Sequence, residues 1–245
     1  MLKMLKAERR IKERISPSIF SWYFLVLNAI LKDIKGFSKL IKTENYKKIL
    51  DLGCGVKPYR SLFKDVEDFV GFDIEDDEGV DRVGVNWDLP FDDNEFDGLI
   101  STQVLEHTAK IPETIKEIKR VVKKNGLVFI SVPFVFPIHG APYDYYRFTK
   151  FGLMEVFKEF DIIEIKESSG YIATQFRMFN VFLNFIPLSK YFFFPIYFIN
   201  NITGLFVDWL AKIFFGLFGE KGNAVYESNY LSLPENYSII LRNKK

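Results

Sequence analysis

The stretch Lys48-Ile-Leu-Asp-Leu-Gly-Cys-Gly-Val-Lys-Pro-Tyr-Arg60 constrains this chain more than any other, because an apolar strand runs directly into an acidic residue and a loop with two glycines. Gly53 and Gly55 let the backbone turn sharply and approach a ligand with no Cβ in the way. The longer dinucleotide pattern G-x-G-x-x-G fails: counting from Gly53, Pro58 stands where the third glycine belongs. A carboxylate at Asp51, where the strand ends, sits poorly against a pyrophosphate and suits a ligand that carries an ammonium group.

From residue 47 onward short apolar runs alternate with polar helical stretches, the pattern of a parallel sheet covered by helices. The expected strands are 48–52, 69–72, 82–85, 98–101, 127–132, 161–166 and 237–242. Ile115, Ile118, Val121 and Val122 are at helical spacing, so a helix is expected over 112–124, ended by Asn125-Gly126. The fold class is α/β.

A chain of 245 residues can bury a full core as one such domain and leave room for additions. The formal charge of +1 gives no field that selects nucleic acid. Cys54 is the single cysteine, which excludes an internal disulfide and fits a reducing cytoplasm. Two histidines without a second thiol argue against zinc, and no metal ligand is expected.

Aromatic content is the outlier: 17% of residues are Phe, Trp or Tyr, and 12 of the 27 phenylalanines crowd into residues 176–218. Residues 179–199 and 202–218 carry almost no charge and approach membrane-spanning length. Pro187 and Pro195 interrupt the first run, and Asp208 and Lys212 sit one turn apart in the second. Both ends of this segment return to one sheet, so a helical hairpin dipping into one leaflet is the expectation. A soluble apolar lid and a two-helix spanning hairpin are the alternatives. Near the N-terminus, residues 19–31 are apolar, too short to span, and flanked by Lys12, Arg14, Lys32 and Lys35. They read either as a helix on an anionic membrane surface or as one capping the ligand pocket. The organisation expected is a helical extension over 1–45, a core domain over 46–169 with 237–245, and an apolar insertion over 170–236.

Asp51-Leu-Gly-Cys-Gly55 resembles the first motif of the class I S-adenosylmethionine-dependent methyltransferases, and the likeness runs over residues 47–167. The resemblance implies a Rossmann-like seven-stranded sheet with helices on both faces, an antiparallel last pair of strands, and S-adenosyl-L-methionine as cofactor. Lys57 departs from the family's fullest glycine pattern, which has a third glycine there. Asp51, Gly53, Cys54 and Gly55 would form the cofactor loop. Asp73, followed by Ile74, lies about 20 residues beyond it, the separation at which a carboxylate meets a ribose diol. Asp88 would reach the adenine amine and Leu89 the base, while backbone carbonyls of Thr102 and Gln103 would face the methionine end. Leu105-Glu-His107 matches a recurring family ending, with His107 read as a structural hydrogen-bonder.

The loop over 132–149, immediately after the fifth strand, should border the acceptor. It carries His139, the candidate base, with Asp144 to orient it or substitute for it and Arg147 to bind an anionic group. This loop resembles family members associated with surface-glycan and lipid-linked sugar modification. The expected function is methyl transfer to a hydroxyl of a lipid-linked saccharide or other amphipathic acceptor at the cytoplasmic face of a membrane. An isoprenoid quinone acceptor and a non-enzymatic membrane scaffold are the alternatives.

Overall fold

A computed structural model describes residues 2–188 and 190–245. Helices α1 (Leu2–Ile15) and α2 (Phe24–Thr43) lead into β1 (Lys48–Leu52), β2 (Asp68–Asp73), β3 (Arg82–Val83) and β4 (Phe96–Thr102). Then come α3 (Ile111–Val121), β5 (Val122–Pro133), α4 (Lys150–Val156) and β6 (Phe160–Glu167). Helices α5 (Tyr171–Phe185), α6 (Phe194–Gly216) and α7 (Gly219–Ser228) precede the last strand, β7 (Asn236–Asn243). The seven strands form one sheet in the order β3-β2-β1-β4-β5-β7-β6, parallel except for β7, which runs antiparallel to both neighbours. This is the Rossmann-like methyltransferase sheet, with the helical insertion between its last two strands.

The third helix ends at Val121, three residues earlier than expected from Asn125-Gly126. Val122 already pairs with Phe96 in the sheet, and Asn125 takes a left-handed φ of 63° inside the extended strand. The Asn-Gly pair therefore kinks a strand instead of stopping a helix. At the N-terminus the apolar segment enters α2 only at Phe24, after a turn in which Ser21 N donates to Ser18 O. Val26, Ile30, Ile34, Phe37 and Ile41 form a continuous stripe on α2. That stripe packs on Ile49, Ile100, Phe129 and Ile240, so α2 covers one face of the sheet. Ile115, Ile118, Leu153 and Phe157 cover the other.

Helices α5 and α6 are amphipathic in the inverted sense. Thr174, Arg177 and Asn180 of α5, and Asn200 and Asn201 of α6, are buried, whereas Phe179, Phe182, Phe185, Phe206, Trp209 and Phe214 are exposed. The buried amides satisfy one another: Asn180 Nδ2 donates to Asn201 Oδ1 (3.1 Å) and Asn200 Nδ2 to Asn180 Oδ1 (2.7 Å). Asn201 Nδ2 also donates to the carbonyls of Ile19 and Ser21, which ties α6 to the start of α2. Asp208 accepts from Gly170 N (3.0 Å) and Tyr230 OH (2.8 Å), so the charge inside the apolar run is paired within the insertion. Pro195 lies in the first turn of α6, where a missing N–H costs nothing.

Candidate functional site

At the carboxyl end of β1 the chain must turn within a few residues, and the glycines make that turn possible. Gly53 and Gly55 have φ of 73° and 50°, and a Cβ on Gly53 would overlap Val104 Cγ2. The backbone N–H groups of Gly53 and Cys54 both donate to Phe72 O, fastening the loop to β2. Lys57 also adopts a left-handed φ, 49°, which is why a glycine suits this position in the pattern it departs from. Its ammonium donates to Phe69 O and pairs with Asp81, which itself accepts from Gly71 N. The lysine side chain thus stitches the loop to β2. Cys54 is buried in the loop with its Sγ near the carbonyls of Gly55 and Gly79.

Asp51 is 2% exposed, and its Oδ2 has no hydrogen-bond partner. Burial pushes its carboxyl up to about 7, Lys57 and Arg14 pull it down, and Asp73 pushes it further up. Asp73 closes β2 with one oxygen accepting from Gly55 N at 2.8 Å and the other at 3.3 Å from Glu75 N. Ile74 follows it, largely exposed. Asp88 is an exposed turn residue, whereas the Leu89 side chain is committed to the core with Phe72, Phe96 and Leu99. Thr102 ends β4, and Gln103 beyond it has a φ of 57° and donates to Asn236 Oδ1 (2.6 Å). Helix α1 crosses over this region: Arg10 pairs with Asp77 at 2.6 Å and reaches within 3.1 Å of the Cβ position of Gly55.

Beyond the ends of β4 and β5 lies a cavity of 320 Å³ lined by Arg14, Tyr23, Gln103, His107, Phe136 and His139 among others; Asp51, Asp73 and the glycine loop are not part of its lining. His139 is half-buried, and that burial lowers its pKa from the usual 6.5 while Asp144 opposes the shift. Asp144 makes a two-pronged ion pair with Arg147 (2.6 and 2.7 Å) and accepts from His139 N (2.8 Å). The Arg147 guanidinium holds the Asp144 carboxyl down at about 2. Arg147 also donates to the carbonyls of Phe136, Pro137 and Tyr146. Its donors are spent on the loop that carries His139, so Asp144 and Arg147 act here as a staple. His107 packs edge-on against His139, with ring centroids 4.7 Å apart, and its Nδ1 lies 2.6 Å from Tyr143 O.

Four residues of this region were not given a site role from sequence. Arg14 stands in a basic helix that read as a surface feature, yet it lines the cavity. Glu106 is fully buried between two residues of a recognised ending. Arg177 and Glu235 form a buried ion pair at 2.9 Å, with the guanidinium over the rings of Trp22, Tyr23 and Phe136. Charges 58 residues apart within the chain carry no local signal of pairing.

Residues 50–130, the part that builds the glycine loop, Asp73 and the end of β4, match the family described as methyltransferase domain. The chain carries a class I methyltransferase domain. Its sequence is 33% identical over 114 residues to 24-methylenesterol C-methyltransferase 2 of Arabidopsis thaliana, covering 39% of this chain and 31% of that one. It is 37% identical over 79 residues to the demethylmenaquinone methyltransferase of Symbiobacterium thermophilum, covering 32% of this chain and 28% of the relative. The match thus spans less than a third of the length of either curated relative. Among solved structures, phosphoethanolamine N-methyltransferase 2 of Haemonchus contortus, in complex with S-adenosyl-L-methionine, superposes with a TM-score of 0.51 at 15% identity. That superposition covers 97% of this chain and 60% of the other. The residues present fit S-adenosyl-L-methionine in their chemistry: a buried carboxylate with an unpartnered oxygen, Asp51, stands at the end of β1, and a second carboxylate, Asp73, closes β2 beside the glycine loop.

Proposed function

We propose that this protein transfers the methyl group of S-adenosyl-L-methionine to an oxygen of an amphipathic acceptor at the cytoplasmic face of a membrane, with a hydroxyl of a lipid-linked saccharide as the first candidate. The observation that carries methyl transfer is the unpartnered Asp51 oxygen at the end of β1, beside Asp73. Asp51 takes the ammonium, Gly53, Cys54 and Gly55 form the cradle, and Asp73 takes the ribose. Asp88 and Ile74 flank the adenine end, Leu89 supports that segment from below, and Thr102 and Gln103 border the methionine end. The sulfonium activates the methyl, so the protein has to align the acceptor and exclude water. His139 takes the acceptor's proton, and the Asp144–Arg147 pair keeps its loop in place.

The membrane part of the reading is supported by the inverted helices. The run Tyr191–Gly216 is long and apolar enough to cross a bilayer, and only 17% of its most apolar stretch is buried. The two ends of the whole insertion, between β6 and β7, return to one sheet, which favours lying in one leaflet over crossing. A groove between α1, the start of α2 and the start of α6 shares Glu13, Tyr23 and Leu27 with the acceptor cavity. A lipid tail in that groove would deliver its head group to His139. In this reading residues 46–169 with 237–245 bind the cofactor, and 1–45 and 170–236 serve the acceptor and the membrane.

A quinone acceptor is the second reading, favoured by the similarity to a demethylmenaquinone methyltransferase. The test follows labelled methyl from S-adenosyl-L-methionine into membranes of the source cell, with Asp73→Ala as control. Label in the organic phase that depends on Asp73 is expected, and mass spectrometry of the product separates saccharide from quinone. Label confined to water would remove the lipid acceptor, and failure to bind the cofactor by calorimetry would leave a scaffold.

A further inference from the structure

We infer that Glu106, His107 and His139 form a site for one divalent transition-metal ion of the zinc kind, at the wall of the acceptor cavity. Glu106 Oε1 lies 3.8 Å from His107 Nε2 and 4.0 Å from His139 Nε2, and the three donor atoms all fall within 4.8 Å of one another. Bonds of about 2.1 Å in tetrahedral geometry place donors about 3.4 Å apart, so side-chain adjustments of roughly an ångström close the site. The expectation of no metal rested on the missing second thiol, but two imidazoles and a carboxylate need none.

Two independent features point to a cation. First, Glu106 is fully buried, and among the described residues no other residue donates a hydrogen bond to either carboxylate oxygen. Arg147 and Arg14 reach it through charge alone, and Arg147 is committed to Asp144. A buried carboxylate without a partner is costly. A cation supplies the partner that the protein does not. Second, both imidazoles are held from behind. His107 Nδ1 faces Tyr143 O at 2.6 Å, and His139 Nδ1 faces Pro137 O at 3.3 Å, Arg147 Nη2 at 3.4 Å and Asp144 Oδ2 at 3.5 Å. In the tautomer in which each Nδ1–H is donated to Tyr143 O or Pro137 O, both Nε2 lone pairs are free near Glu106, the arrangement that orients ligating histidines.

Three protein ligands leave a coordination position open toward the cavity. The next step rests on the methyl-transfer reading, whereas the site itself does not. An acceptor hydroxyl bound at the open position loses its proton to water, and its oxygen lone pair forms the bond to the methyl carbon. The C–S bonding pair returns to sulfur, which leaves a neutral thioether. In the loaded protein His139 is a ligand, and the metal takes over from the imidazole the part of promoting loss of the acceptor's proton.

The test uses the purified full chain, stripped with a chelator and titrated with Co2+ in the absence of cofactor and acceptor. Binding of one equivalent with visible absorption bands of a four- or five-coordinate ion, displaced by Zn2+, is the expected result. Glu106→Gln and His107→Asn, each checked for folding by circular dichroism, should weaken that binding roughly tenfold or more. No uptake of Co2+ or Zn2+ by the wild-type chain at micromolar concentration overturns the inference. So does uptake that both substitutions leave unchanged. Because the titration contains no S-adenosyl-L-methionine, its failure leaves methyl transfer standing, and a chain that binds the metal but transfers no methyl sinks the other reading alone.

Discussion

Asp73 holds Gly55 N with one oxygen, and in the proposed function its carboxylate also takes the ribose hydroxyls. Asp73→Ala therefore removes both a loop tie and two charge-assisted acceptors. Hydrogen bonds to charged groups contribute about 1.5–3 kcal/mol each, so affinity for S-adenosyl-L-methionine should fall roughly tenfold to a hundredfold or more, read by calorimetry. Asp51 and Glu106 make a different prediction. Their carboxyls are raised to about 7 and about 8, so the folded chain holds protons that the unfolded chain has released. Stability without ligands is then greatest below the ordinary carboxylate range and is lost as pH rises toward 8. The melting temperature should drop by roughly 5 °C between pH 5 and pH 8, and Asp51→Asn should flatten the slope. Asp51, Gly53 and Asp73 were legible because strand, turn and spacing are local properties of the chain. Arg147 was legible as a residue of the acceptor loop but not as a staple, since its partners are fixed by the loop's path.

All seven strands could be read from the sequence, as β-branched and aromatic runs of the right length leave few alternatives. Their ends could not: Val122 joins the sheet because Phe96 waits across from it, which no window of sequence contains. The insertion was legible as apolar but not as inverted. Only in three dimensions do Asn180, Asn200 and Asn201 meet, leaving Phe206, Trp209, Ile213 and Phe214 outward. Transfer of one such aromatic side chain out of water contributes about 1.5–3 kcal/mol. Trp209→Asp with Phe214→Asp should accordingly reduce co-sedimentation with anionic vesicles at least tenfold while leaving cofactor affinity intact. Wild-type binding that persisted unchanged in this double variant would move the membrane contact elsewhere.

Across the whole molecule, Arg177 gathers segments from three regions: Trp22 and Tyr23 before α2, Phe136 in the acceptor loop, and Glu235 at the entrance to β7. Breaking a buried pair strands a charge, so Arg177→Met should cost about 3–5 kcal/mol in urea unfolding. Replacing both partners, as Arg177→Met with Glu235→Leu, should cost less than either single change. The same guanidinium decides how this chain can be recombined with its relatives. A chimera cut at the sheet's edge, near residues 170 and 236, would remove Arg177 and Glu235 together and leave the rings of Trp22, Tyr23 and Phe136 facing foreign helices without this cation. Such a graft would still hold its cofactor and lose its acceptor pocket, so exchangeable modules in this architecture must travel with the residues that Arg177 touches.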